Sequence, residues 1–368
     1  MRPRSGWLVG GAVAAGVVIA LSLVVRFGPA LGLSLALGLS GGDAWLIPFG
    51  RDPAREDIIL VADGRDLDAD LYRPARPRGA LLLVHGLSPV GRRQPDLARL
   101  ARLLAREGLI VLVPQFPGLA TFALDGREVA EIRAGLRYVA GLSNSVGIAG
   151  FSFGAGPALL AAADLPSLRI VGSFGGYADL RHVIVYITTG AHEFEGRRYL
   201  QPPLAYNRWK LLALLSGFVE HDEDRRLLRR IAERRLANPE EDTSHFEGQL
   251  VADGRVVLAL ALNRREDQVA SLLAQLPPPG REALDRLSPL RAVSHLSGRL
   301  LIGHGAGDDS IPFTESLRLA AASGGRARVA ILQTFHHTGP QPFWTSLRLL
   351  AQDGRSLVRL VDDLLTAF

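Results

Sequence analysis

The sequence contains no cysteine, and Lys210 is the single lysine among 42 basic residues. The absence of cysteine excludes disulfide bonds, a thiol nucleophile and metal sites with thiolate ligands. The nine histidines are dispersed without a His-Glu-x-x-His motif or a comparable cluster, so we expect no metal. The Gly-rich segment 32–42 lacks the Lys-Ser/Thr ending of a phosphate-binding loop. The sequence therefore predicts no cofactor.

The sequence also lacks a run of basic residues interleaved with aromatic residues. The net charge is +5, but the arginines are scattered, which argues against nucleic acid as a partner. With 368 residues, 48% of them hydrophobic, the chain can form one large α/β domain with an insertion and a membrane segment. The sequence does not determine the oligomeric state.

The N-terminal region has no charged residue between positions 5 and 25, and Arg2 and Arg4 precede this stretch. A helix of these residues would be about 30 Å long, the thickness of a bilayer core, which predicts a transmembrane segment. A second apolar stretch, 27–48, follows. We favour a single anchor with the catalytic body outside the cytoplasm. The alternative is a hairpin of both stretches with the body in the cytoplasm, and counting positive charges does not separate the two.

The region after position 50 alternates between strand and helix patterns. The polar segment around Asp63-Gly64 predicts an antiparallel hairpin of strands 58–61 and 66–72. Buried strands and amphipathic helices then alternate, which predicts a mostly parallel sheet with right-handed crossovers and helices on both faces. The predicted strands are 79–84, 109–113, 146–149, 169–174, 299–304 and 328–332, and the predicted helices are 94–106, 129–142 and 342–368.

The alternation stops between residues 178 and 297, where the pattern is helical. The predicted helices are 204–219, 222–236, 245–262 and 267–276. A helical insertion at this point is a candidate lid. The predicted domains are thus an anchor (1–50), an α/β core (51–177 and 298–368) and a helical cap (178–297).

The most informative motif is Gly150-Phe151-Ser152-Phe153-Gly154, which follows an apolar strand and precedes an Ala-rich helix. A G-x-S-x-G sequence in this context is typical of a nucleophile elbow, whose tight turn excludes bulk two residues before and after the serine. Ser152 is the predicted nucleophile. The backbone N–H of Phe153 lies at the start of the helix, where it can stabilise an oxyanion.

The chain resembles the α/β-hydrolase superfamily from about residue 58 to residue 368. Four features carry the resemblance: the strand ending in His85-Gly86, the serine elbow, the Gly305-x-x-Asp308-x-x-Ile311-Pro312 segment, and the histidines after the last strand. The chain order of nucleophile, acid and histidine is the order that this fold uses. The resemblance implies an eight-stranded sheet and hydrolysis of an ester, amide or thioester bond, and it does not imply a substrate.

The resemblance also assigns roles to individual residues. It implies that Asp308 is the acid, with neighbouring Asp309 as the alternative, and that His337 is the general base, with His336 as the alternative. A carboxylate would orient the histidine, which activates the serine hydroxyl. The second oxyanion donor would be the backbone N–H of Leu87. His85 and His304 each end a strand, and we interpret both as structural histidines.

The function predicted from these residues is a serine hydrolase, resembling a carboxylesterase, that acts on a small-molecule or lipid-like acyl substrate. The alternatives are a serine peptidase or amidase of the same fold and a non-catalytic binding protein. The predicted location is the membrane, through the N-terminal segment.

Overall fold

The computed structural model describes residues 22, 26–38, 52–165, 167–336, 339–340 and 347–368. Eight strands form one sheet in the order β1-β2-β4-β3-β5-β6-β9-β10. Strand β2 is antiparallel to both of its neighbours, and the other pairs are parallel. The strands are β1 Ala54–Ala62, β2 Arg65–Arg73, β3 Gly79–Val84, β4 Leu109–Pro114, β5 Val146–Phe151, β6 Ile170–Phe174, β7 Ala191–Phe194, β8 Arg197–Leu200, β9 Arg299–Gly305, β10 Ala327–Leu332, β11 Phe335–His336 and β12 Gly339–Pro340.

The helices pack on both faces of the sheet. Successive side chains of a strand point to opposite faces, and in β3 Leu82 and Val84 belong to one apolar cluster, whereas Leu81 and Leu83 belong to another. The predicted eight-stranded, mostly parallel sheet between helices is therefore confirmed. The helices are α1 26–38, α2 Pro95–Arg106, α3 Pro117–Ala120, α4 Arg127–Ala140, α5 Ala155–Ala163, α6 Leu180–Thr189, α7 Asn207–Ser216, α8 Asp222–Ala237, α9 Ser244–Glu247, α10 Ala252–Leu262, α11 Glu266–Gln275, α12 Pro278–Arg286, α13 Thr314–Ala322 and α14 Leu347–Thr366.

The β1–β2 hairpin turns at the predicted residues. Asp63 and Gly64 both have positive φ, of 48° and 75°, which is the conformation of a two-residue turn whose twist matches that of the strands. All nine residues of β1 pair with β2.

The chain between β6 and β9 forms helices α6 to α12 and the antiparallel pair β7–β8. The helical pattern of this region did not predict the β7–β8 pair, because both strands are only four residues long. The predicted helix 245–262 is divided into α9 and α10.

The predicted location in the membrane is contradicted by the described part of the chain. None of the helices in the described part of the chain is long and apolar enough to cross a bilayer. Of the predicted span 5–25, only Ser22 lies within the described residues. The second apolar stretch is described from 27 to 38, where it is helical and belongs to α1.

Helix α1 packs on the core. Ala30 and Leu33 are 1% exposed, whereas Phe27 and Leu31 are 41% and 49% exposed. Apolar residues on both faces explain why the sequence pattern resembled a membrane span: the pattern does not tell a buried apolar face from an exposed one.

Candidate active site

Ser152 lies at a sharp turn between β5 and α5. Strand β5 ends at Phe151, a single 3₁₀ turn covers Ser152–Gly154, and α5 begins at Ala155. The φ of Ser152 is +52°. A serine in this left-handed region is strained, and such strain persists only where the surrounding structure enforces it.

Three glycines make room for this turn. A Cβ atom on Gly150 would lie 2.5 Å from the Cα of Ala155, and one on Gly154 would lie 2.1 Å from the carbonyl oxygen of His85. On the neighbouring strand end, a Cβ on Gly86 would lie 2.8 Å from the Cβ of Ser152. No side chain fits at these positions without movement of the backbone or of Ser152, so the turn depends on glycine at all three positions.

The candidate acid lies on the loop after β9. The Asp308 side chain is 1% exposed, and its Oδ1 accepts hydrogen bonds from the backbone N–H groups of Ser310 at 2.8 Å and Ile311 at 2.9 Å. The Nε2 atom of His304 lies 3.3 Å from Oδ2 of Asp308. These contacts orient the carboxylate, and donors of this kind stabilise its ionised form.

Residues of the inserted region hold the backbone of the same loop. The hydroxyl of Tyr186 on α6 donates to the carbonyl oxygen of Asp308 at 2.8 Å, and Nε2 of Gln201 donates to the same oxygen at 3.0 Å. Nδ2 of Asn207 donates to the carbonyl oxygen of Asp309 at 2.9 Å. Sequence reasoning missed all three residues, because they lie about 100 positions from the acid and belong to no motif.

The two neighbouring carboxylates differ in their surroundings. Asp308 lines the same cavity as Ser152, and Asp309 is not among its described lining residues. Asp309 is partly exposed, and its Oδ1 accepts a hydrogen bond from the Ser310 hydroxyl at 3.1 Å. The geometry therefore favours Asp308 over Asp309 as the carboxylate of this site.

The candidate base belongs to the segment that follows β10. His337 and the side chain of His336 lie outside the described residues. The residues before them are next to the acid loop: the carbonyl oxygen of Phe335 accepts a hydrogen bond from the N–H of Gly307 at 3.3 Å, and Phe335 lines the cavity that Ser152 and Asp308 share. His337 as the base stays a prediction.

The segment that leads to these histidines is anchored to α14. The N–H and the hydroxyl of Thr334 both donate to Oδ2 of Asp353, each at 2.7 Å. Both residues are buried, with exposures of 4% and 3%. A doubly bonded, buried carboxylate at this position holds the end of the β10 segment against the helix.

His85 supports the position of the second predicted oxyanion donor. The N–H of Phe116 donates to Nε2 of His85 at 3.0 Å, so the ring proton is on Nδ1, which donates to the carbonyl oxygen of Gly86 at 2.8 Å. Burial lowers the pKa of His85 to about 4 and keeps the ring neutral. In a trans peptide the N–H points opposite to the carbonyl. The hydrogen bond to the Gly86 carbonyl therefore also orients the N–H of Leu87.

The Phe153 N–H belongs to the first turn after β5. Amides in the first turn of a helix have no carbonyl partner one turn earlier, so they are available to an oxyanion. Both predicted donors, Leu87 and Phe153, thus follow strand ends that meet at Ser152: Gly86 touches Ser152, and Phe153 is its neighbour in sequence.

His304 has partners at both of its ring nitrogens. Its Nδ1 lies 2.6 Å from the Ser316 hydroxyl, and its Nε2 lies 3.0 Å from the Ile311 carbonyl oxygen as well as near Asp308. The ring nitrogens of His304 thus have partners on α13 and in the acid loop, and both ring nitrogens of His85 are also bonded, which fits a structural role for each. Within the described ranges no group of three or more potential ligand residues could hold a metal ion.

The eight-stranded sheet and the strained serine between strand and helix are those of the α/β-hydrolase fold. No protein-family model matches the chain, and no curated protein matches its sequence. Solved structures of hydrolases resemble it. An acylaminoacyl peptidase of Pyrococcus horikoshii is 12% identical, with a TM-score of 0.47 over 87% of this chain and 42% of that one.

Two further structures are similar. A puromycin-hydrolyzing peptidase of Mycobacterium tuberculosis is 17% identical, with a TM-score of 0.46 over 85% of this chain and 38% of that one. The 2,6-dihydroxy-pseudo-oxynicotine hydrolase is 16% identical, with a TM-score of 0.45 over 77% of this chain and 62% of that one. The chain thus spans about two fifths of the length of the two peptidases.

Proposed function

We propose that the protein is a serine hydrolase that cleaves carboxylic esters through Ser152, His337 and Asp308. The observation that carries the proposal is the strained conformation of Ser152 at the end of β5, in a cavity that the buried carboxylate of Asp308 also lines. A serine in this geometry projects its hydroxyl from the carboxyl edge of the sheet, and strain of this kind is typical of functional sites.

The proposed reaction proceeds in two steps. His337 takes the hydroxyl proton of Ser152 as Oγ forms a bond to the ester carbonyl carbon, and the N–H groups of Leu87 and Phe153 stabilise the oxyanion. The bond to the leaving alcohol breaks, and the alcohol takes the proton from His337. Water then attacks the acyl-enzyme, giving up a proton to His337, and the acid product leaves as Ser152 regains its proton. Asp308 orients the imidazole and stabilises its charged form throughout.

An ester with an apolar acyl group is the substrate class that fits the cavity. Apart from Ser152, His304 and Asp308, its described lining has only aliphatic, aromatic or glycine residues. The one acidic side chain in the described lining is Asp308, which the proposal uses to orient the histidine, and the described lining has no arginine or lysine that could pair with a peptide carboxylate. Amide cleavage, as by a peptidase, uses the same triad and is the alternative that a substrate panel tests.

A fluorophosphonate probe tests whether the serine is a nucleophile. We expect covalent labelling of the wild type at Ser152 and none of Ser152→Ala, because the probe reacts only with an activated serine hydroxyl. An unlabelled wild-type protein that is folded by circular dichroism would contradict the enzymatic proposal and favour a non-catalytic binding protein.

The other two roles are tested with pairs of neighbouring residues. For ester hydrolysis we expect a loss in kcat of roughly 10⁴-fold for Asp308→Asn, the magnitude seen when a triad loses its orienting acid, and of roughly 10⁶-fold for His337→Ala, which removes the base. The controls Asp309→Asn and His336→Ala should retain activity within a few-fold. If Asp309→Asn or His336→Ala is the inactive member of its pair, the role belongs to that neighbour.

A panel of matched esters, thioesters and anilides with one acyl group defines the bond that is cleaved. The proposal expects the ester to have the highest kcat/KM. A higher value for the anilide or for a peptide would identify an amidase or peptidase instead.

A further inference from the structure

The cavity at Ser152 extends well beyond the reacting groups. Its volume is about 310 Å³, and 21 described residues line it, of which only Ser152, His304 and Asp308 have polar side chains. These three lie at or beyond the carboxyl ends of β5 and β9, whereas Leu81 and Ala149 of the lining lie within their strands. The cavity therefore runs from the carboxyl edge of the sheet along one of its faces.

The deeper part of this cavity is enclosed by buried apolar side chains. Leu83 and Ala149 of the sheet are at most 1% exposed, Leu104 of α2 is 2% exposed and Leu360 of α14 is 4% exposed. A cavity lined in this way does not hold water well, but it binds hydrocarbon. The polar reaction site and the apolar chamber are continuous, which is the arrangement expected for a ligand with a reactive polar end and an apolar tail.

Helix α1 supplies one wall of the chamber, through Leu33 and Leu37. Ala30 and Ala36 are 1% and 0% exposed, and these small residues allow the helix to approach the core closely. The outward-facing Leu35 is 47% exposed.

The described part of α1 is tied at two places to the helices that flank the chamber. Nη2 of Arg26 donates to Oδ2 of Asp362 on α14 at 3.0 Å. Arg99 on α2 donates to the carbonyl oxygen of Ala36. Helix α1 thus bridges α2 and α14 and holds its two leucines at a defined place in the wall.

We infer that this chamber binds an unbranched aliphatic acyl chain and that Leu33 and Leu37 limit the chain length accepted; the inference rests on the serine hydrolase function proposed above. The acyl group is assigned to the chamber because it stays on Ser152 while the alcohol departs and water enters. An apolar chamber suits the group that stays. A cavity of about 150 Å³ holds benzene, so 310 Å³ corresponds to roughly ten to twelve carbon atoms.

The first experiment measures kcat/KM for p-nitrophenyl esters with acyl chains of increasing length. We expect a rise of about fourfold for each added methylene, the value for burial of one CH₂ group, up to roughly ten carbons. Acetate esters of increasingly long alcohols should show no such rise. A rise that follows the alcohol and not the acyl chain would overturn the inference.

The variant Leu37→Trp tests the wall. Leu37 is only partly buried, so the larger side chain can be accommodated at the end of α1 while it fills part of the chamber. We expect the ratio of kcat/KM for the decanoyl ester to that for the acetyl ester to fall at least tenfold. The matched control Leu35→Trp, on the exposed face of the same helix, should keep the wild-type ratio. If Leu37→Trp does not fold, Leu100→Trp on α2 makes the same test, because Leu100 is also a partly buried lining residue.

A binding measurement separates this inference from the proposed function. Calorimetry with decanoic acid should show binding to the wild type and to Leu35→Trp but not to Leu37→Trp, and butyric acid should bind at least tenfold more weakly than decanoic acid. If fluorophosphonate labels Ser152 but kcat/KM does not depend on acyl length, the chamber inference is overturned and the proposed hydrolase function stands. If decanoic acid binds, Leu37→Trp abolishes that binding and fluorophosphonate does not label Ser152, the chamber inference is supported and the hydrolase function is contradicted.

Discussion

The ends of β5 and β9 hold their candidate catalytic side chains by different physical means. At the end of β5, Ser152 is held by steric contact, because the surroundings of Gly150, Gly154 and Gly86 have no space for a side chain. At the end of β9, Asp308 is held by hydrogen bonds to its side chain and to its backbone. Steric repulsion rises steeply, whereas a hydrogen bond typically contributes about 1 kcal/mol. We therefore expect one added side chain to disrupt the turn at the end of β5. Loss of one hydrogen bond at the end of β9 should lower stability and activity only slightly.

The largest effect is expected from Gly154→Ala, which disrupts the turn at the end of β5. The added Cβ would lie 2.1 Å from the His85 carbonyl oxygen, so the backbone must move, and we expect a loss of about 3 kcal/mol or more in the free energy of unfolding. Urea unfolding measures the loss. The control is Gly354→Ala on α14, where a Cβ meets nothing within 4 Å and alanine should stabilise the exposed helix by up to about 1 kcal/mol. Equal stability of the two variants would show that the elbow is not held sterically.

Low pH should lower the free energy of unfolding through His85, whose carbonyl oxygen lies beside Gly154 of the elbow. Burial lowers its pKa to about 4 in the folded protein, below the value of about 6.5 in the unfolded chain. The unfolded chain therefore binds the extra proton between these values, and stability falls as the pH is lowered from 7 towards 4. From pH 7 to pH 5 the loss should be about 2 kcal/mol.

The measurement compares urea unfolding at pH 7 and pH 5 in the wild type and in His85→Gln, which does not titrate. The difference between the two pH values should be about 2 kcal/mol smaller in the variant. The exposed His295→Gln serves as the control and should show the wild-type difference. A variant with an unchanged pH dependence would mean that His85 is not held neutral by burial.

The smallest effect is expected on the β9 side, from Tyr186→Phe. The change removes one hydrogen bond to the Asp308 carbonyl, while Gln201 still donates to it. We expect a loss of about 1 kcal/mol in stability and a fall of a few-fold in kcat with little change in KM, because the acid loop becomes less well positioned.

The control for this change is Tyr138→Phe in α4, a partly buried tyrosine on another element, which should leave kcat at the wild-type value. If Tyr186→Phe loses as much activity as Asp308→Asn, the expectation that loss of one hydrogen bond to the acid loop has a small effect would be contradicted.

The same contrast explains how much could be predicted from the sequence. The motif and its strand–helix context predicted the elbow because Gly150, Ser152 and Gly154 lie within five positions of each other, although His85 and Gly86 on the neighbouring strand end also limit the space at the turn. The buried strands were predicted for a similar reason, since a run such as 79–84 is apolar at every position. The placement of α1 could not be predicted, because an apolar helix has the same sequence pattern whether it lies in a bilayer or on a protein core.

What the sequence by itself determined is therefore the order of strands and helices and the turn that carries Ser152, since both depend on short-range periodicity and on the sterics of glycine. Only the tertiary structure decided that Asp308 and not Asp309 lines the cavity, that Tyr186 and Gln201 support the acid loop, and that α1 forms one wall of an apolar chamber beside the serine. These features depend on contacts between residues that are far apart in the chain. No local pattern encodes such contacts, because they form only when the elements pack.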